Sequence, residues 1–165
     1  MRKIGMLLLL AGVLVAAEQT PIRTDELSAE MPADLGPTTV DVSTYPTLQR
    51  KYYELFLNRC SRCHTPARTI NSKITTFEEW EHFVTLMHGK SLDRSLGELW
   101  SAGEGHAIVD FLVYDSQVRK IAHAKEFDSL QVRLAERFKL VQIEKERRAK
   151  EHPAQSTVPY TTDKR

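Results

Sequence analysis

Cysteine is nearly absent from this chain: its 165 residues contain two, Cys60 and Cys63. No second cysteine pair and no pair of histidines at finger-like spacing accompanies them, which argues against a structural zinc site. A disulfide between residues so close would constrain almost no chain, so a structural bridge explains little. Net charge is nearly absent as well, with 23 Lys and Arg against 22 Asp and Glu. That balance excludes a chain-wide basic field for nucleic acid. Alternating strand patterns and internal repeats are missing. Beyond the first 17 residues no apolar run approaches the roughly 20 residues a membrane-spanning helix needs.

What is present begins with "MRKIGMLLLLAGVLVAA". Arg2 and Lys3 form a positive start, Ile4 to Val15 an apolar stretch, and Val15, Ala16 and Ala17 a small-residue cleavage site. This layout predicts a secretory signal peptide over residues 1–17, with Glu18 first in the mature chain. The apolar stretch is too short for a spanning helix. The expected protein is soluble, extracytoplasmic or periplasmic, and not membrane-spanning after cleavage.

Residues 18–43 carry Pro21, Pro32 and Pro37 among acids and small polar residues, and predict a flexible linker. From about Thr44 the pattern turns helical, with Ser43 or Thr44 as cap and Pro46 early in the helix. Leu48, Tyr52, Leu55, Phe56 and Arg59 fall at helical spacing. A loop is expected over 65–75, since Pro66 blocks continuation. Thr76 with Glu79 forms a capping box, which opens a helix striped by Trp80, Phe83, Val84 and Met87, with Gly89 as its stop. Ser101 with Glu104 opens another, striped by Ala107, Ile108, Phe111 and Leu112. From Gln117 to about Glu151 the pattern is helical and charged, with ten Lys and Arg against six Asp and Glu over residues 118–151.

The chemistry lies in "CSRCH", Cys60 to His64. Cys-x-x-Cys-His suits covalent c-type haem attachment, in which two thioethers hold the porphyrin and the adjacent His reaches iron. The competing use is thiol–disulfide exchange, but that fold places the motif after a strand in a βαβ unit. Here Tyr52, Leu55 and Phe56 place it at a helix end. A chance match is the bland alternative. The following His and the export signal together favour haem.

With these residues in place, the chain resembles the monohaem c-type cytochrome family (class I-like) over about residues 45–116. The resemblance rests on the helix ending in "CSRCH", on Phe56 four before Cys60, on "WEHFVTLM", and on "AIVDFLVYDS". It implies one covalent haem c on Cys60 and Cys63, His64 as proximal iron ligand, and a crossing of first and last helices through Phe56, Phe111 and Leu112. Tyr52 departs from the family in being bulky where a small residue is common, and the segment from His64 to Met87 is short. Met87 is the candidate distal ligand; after cleavage the only other methionine is Met31, in the linker. A Met on an apolar face is ordinarily core filler, and adjacent His88 is the rival ligand. The two point about 100° apart on a helix, so both cannot face one iron. Pro66 could offer its carbonyl to the His64 ring, and Arg68 or Trp100 could meet propionates, though a solvated arginine and a packing indole are the plainer readings.

The expected architecture is therefore all-α: a small cytochrome c-like helical domain over residues 44–117, with a charged helical extension and frayed tail over 118–165. The expected role is electron transfer between periplasmic donor and acceptor proteins, without enzymatic chemistry. The alternative is a haem-based sensor or peroxidase-like protein with an open distal site. Phe127, Leu130, Leu134, Phe138 and Val141 form an apolar seam, which serves either to lay the extension on the domain or to dock a partner.

Overall fold

The computed structural model describes residues 20–93 and 100–152. Every regular element among them is helical and none is a strand, as the periodicity predicts. The signal-peptide reading, most of the segment after Asp93 and the tail beyond His152 lie outside the described residues. No described helix is long and apolar enough to cross a membrane.

Helix α1 spans Thr47–Cys60 and α2 spans Ala67–Ile70. Helix α3 spans Phe77–Asp93, α4 Ala102–Asp115 and α5 Ala124–Glu151. Two 3-10 turns, Asp25–Ser28 and Pro32–Leu35, precede them, and a π-helical segment, Ser116–Ala122, joins α4 to α5. Both capping boxes form. Glu79 N–H donates to Thr76 Oγ1 while Thr76 N–H donates to Glu79. Glu104 N–H and Ser101 make the same exchange. Each pairing satisfies donors that a helix start leaves open.

Three boundaries differ from the expectation. Helix α1 starts at Thr47 behind Pro46, with no side-chain cap. A short helix, α2, occupies part of the expected loop over 65–75, because Pro66 is a poor continuation but a good helix opener. Gly89 does not end α3, which continues to Asp93. A glycine inside a helix costs only about 1 kcal/mol, and the following turn buries Ser91.

Helix α4 is the centre, packed on α1 and on α3. Phe111 is fully buried, its ring centroid 5.4 Å from Phe56 and 5.1 Å from Tyr53. The expected Phe56–Phe111 contact is present. The buried face of α1 carries Tyr53 and Phe56, whereas Leu48 is 55% exposed. The true stripe is thus rotated from the one that Leu48 and Tyr52 suggested. Trp80 of α3 is also fully buried, and its indole donates to Ser116 Oγ at 3.0 Å.

Residues 20–43 are not a free linker. Asn71, buried at the end of α2, donates to the carbonyls of Ala33 and Pro37. A Cβ on Gly36 would lie 2.3 Å from that Asn71 side chain, so only glycine allows the approach. Helix α5 lies on both 3-10 turns, and its seam residues Phe127, Leu134 and Val141 are buried. These three seam residues are therefore used within the chain.

Lys120 sits in the π-helical segment, 6% exposed. Its ammonium donates to the Ile74 carbonyl at 2.9 Å and lies 4.7 Å from the centroid of Trp80. Burial lowers its pKa to about 7, and the charge on Asp115 only partly opposes this. Between about pH 7 and the ordinary lysine value near 10.4, the folded chain then holds fewer protons than the unfolded one. The stability contributed by this group rises with pH across that window and is absent below it. In urea unfolding, the native chain should gain on the order of 1 kcal/mol or more between about pH 7 and 9.5 relative to Lys120→Met. Equal slopes for the two proteins would exclude Lys120 as the cause.

Candidate functional site

Cys60 is the last residue of α1, which closes with Ser61 N–H donating to the Leu57 carbonyl at 3.2 Å. The chain then turns, and Cys63 lies exposed in that turn. Both cysteines are free thiols. Only Cys60 is helical, so the motif is presented by a helix end and a turn. Pro66 then opens α2, its carbonyl accepting from Ile70 N–H at 3.0 Å. That carbonyl is thereby engaged as a helix acceptor. The His64 ring is instead held by the neighbouring residue: Nδ1 lies 2.9 Å from the Thr65 carbonyl. A carbonyl only accepts, so this contact places the proton on Nδ1 and leaves the Nε2 lone pair free for a metal.

Cys60, Cys63, His64 and Met87 all line one cavity of about 610 Å³. Phe83 and Trp100 add apolar wall to it. The volume falls in the range of small-molecule and cofactor sites, roughly 300–1,000 Å³. His88 lines a different cleft, of about 420 Å³, with Trp100, Gly105 and His106. Its ring centroid lies 5.5 Å from that of Trp100. The cause is helix geometry: with Trp80 and Val84 of α3 buried, a step of about 100° per residue separates Met87 from His88.

Arg68 is not a solvated arginine. Its Nε donates to Asp34 at 2.7 Å and its Nη2 to Glu30 at 2.9 Å. Burial alone would raise the Asp34 pKa, but Arg68 and the backbone N–H groups of Glu30 and Met31 hold it below the usual carboxylate range. The far wall of the cavity is the N-terminal segment, with Glu26, Ala29, Glu30, Asp34 and Leu35 among its lining residues. Reading the sequence missed this wall. Short 3-10 turns have no periodicity, and the pairing cations Arg68 and Arg137 are distant in the chain. Lys90, one turn beyond Met87, also lines the cavity, and no sequence signal marks it.

Burial, and next the nearby Cys63, pushes the Cys60 thiol up to about 12. A thiol–disulfide exchanger needs a thiolate near neutral pH, so this environment disfavours Cys60 as the attacking thiol. The donor set, one imidazole and one thioether on the same cavity, suits iron whose remaining ligands come from a macrocycle. Compared with family models, curated proteins and solved structures, the chain matches none.

Proposed function

We propose that this chain is an extracytoplasmic monohaem c-type cytochrome that carries single electrons between redox partner proteins. The observation that supports the reading most is that both thiols of Cys-x-x-Cys-His, His64 and Met87 share one cavity of cofactor size. Cys60 and Cys63 would hold one haem c through thioethers, with His64 as the proximal ligand and Met87 as the distal one. When bound, the haem supplies a reversible ferrous–ferric couple.

The chain's own residues do the rest. The Thr65 carbonyl orients the His64 ring, and such a partner also raises the basicity of the ligating nitrogen. Phe83 and Trp100 would give a bound macrocycle apolar contact. Methionine ligation favours the reduced state and raises the potential. The presence of Met87 on the cavity favours an electron carrier over a sensor or peroxidase-like protein, which would need an open distal position. The signal-peptide pattern of residues 1–17 supports partners outside the cytoplasm.

The test is to produce the full chain, leader included, in a host with a c-type maturation system. The protein should be red, gain the mass of one haem, and keep it under denaturing conditions. Cys60→Ala combined with Cys63→Ala should lose that covalent mass entirely. A colourless mature protein would refute the reading.

A further inference from the structure

No residue of α5 lines the cavity, yet α5 holds one of its walls. Arg137, in the middle of α5, directs its guanidinium to the N-terminal segment. Nε and Nη2 donate to Glu26 at 3.0 and 2.6 Å, Nη1 to the Thr20 carbonyl at 2.7 Å, and Nη2 also to the Pro21 carbonyl at 2.9 Å. Lys145, two turns on, donates to the carbonyl of buried Ala29 at 2.6 Å. Glu26 and Ala29 both line the cavity that holds Cys60, Cys63, His64 and Met87.

We propose that Arg137 is a positioning residue for the cofactor cavity: by clamping residues 20–36 it keeps that wall closed and controls access of solvent and small ligands. The inference rests on the haem reading for its functional meaning, and on the hydrogen bonds alone for its geometry.

The clamp differs from an ordinary surface ion pair, which contributes little. Arg137 and Glu26 are sheltered, with side chains 20% and 11% exposed. The pair is two-pronged, and two backbone carbonyls complete the guanidinium's fork, a geometry lysine cannot reproduce. The Glu26 carboxyl is held below its ordinary range, chiefly by the hydrogen bond from Arg137. At the other end of the segment Arg68 grips Glu30 and Asp34, so α2 and α5 hold the wall between them. The segment has only two short 3-10 turns of its own. It is therefore ordered by what it is attached to.

The reach of this arrangement is long in sequence. Glu26 and Arg137 stand 111 residues apart. A helix not needed to build a haem pocket would then govern the pocket's exposure, and through it the potential, because water near a haem favours the charged ferric state.

The experiment compares the haem-loaded full chain with Arg137→Glu, which sets like charges opposite each other, and with the exchange variant Arg137→Glu plus Glu26→Arg. Three quantities are measured: the rate at which imidazole binds the ferric protein, the midpoint potential, and helicity by circular dichroism. Arg137→Glu should bind imidazole on the order of tenfold faster, matching the loss of a charge-assisted contact. Its potential should fall while helicity stays the same, and the exchange variant should recover most of both changes. Unchanged imidazole binding and potential in Arg137→Glu would overturn the proposal. So would equal changes in Arg137→Glu and in the exchange variant. Should Arg137→Glu lose helicity, Glu26→Gln, which leaves α5 intact, replaces it with the same expectations. A native chain that carries no covalent haem refutes the haem reading alone. The clamp is then judged by iodoacetamide labelling of Cys60 in the unloaded full chain. Arg137→Glu should label faster, and equal rates would overturn it.

Discussion

Under the proposed haem ligation, Met87→Ala is expected to convert a low-spin ferric spectrum to a high-spin one. The near-infrared-edge band of methionine–iron ligation should vanish, and the potential should fall, because thioether ligation is what raises it. Carbon monoxide should then bind the reduced protein readily. The geometric reason is that Met87 is on the cavity shared with His64, one turn beyond Phe83. His88→Ala is the informative companion. Its ring belongs to the other cleft, beside Trp100, so the substitution should leave the spectrum and potential essentially unchanged. Loss of low-spin character in His88→Ala, with Met87→Ala silent, would reverse the assignment and make His88 the distal ligand.

Phe111→Ala should destabilise the chain by about 3–5 kcal/mol. Phe111 is fully buried and touches both aromatic residues of the α1 face, Tyr53 and Phe56. Its removal takes away transfer free energy and leaves a cavity that rigid neighbours on α1 and α4 cannot fill. Against a typical domain stability of 5–15 kcal/mol, the loss is large enough to unfold much of the population on mild heating. Leu48→Ala is the contrast. That side chain is 55% exposed, and substitutions of this kind usually stay within about 0.5 kcal/mol. Denaturant unfolding of both variants checks the pair. Equal losses would mean that the α1–α4 crossing is not the core contact.

The helices were legible where signals are local. Thr76 with Glu79 and Ser101 with Glu104 lie three residues apart, and both boxes form as expected. The Cys-x-x-Cys-His motif was equally legible, since five consecutive residues specify it. The face of α1 was less so, because Tyr52 and Tyr53 fit a helical stripe about equally well and only contact with Phe111 chooses between them. The linker expected over residues 18–43 fails over the described residues 20–43 for a similar reason. Their composition suits a linker, and their order comes from Arg68, Asn71, Arg137 and Lys145. Arg68 in particular looked like a candidate for propionates, whereas its guanidinium is engaged by Asp34 and Glu30.

By itself, then, the sequence determined the helical class, both boxed helix starts, and the grouping of two thiols and an imidazole at the end of one helix. These follow from backbone hydrogen-bonding needs and side-chain periodicity, which act over three or four residues. Only the tertiary structure decided that Met87 and not His88 lines the cavity with them, that the acidic N-terminal segment forms part of its wall, and that α5 holds that segment. Those outcomes depend on which helix faces bury the most apolar surface and on charges paired across more than a hundred residues, and no local pattern records either.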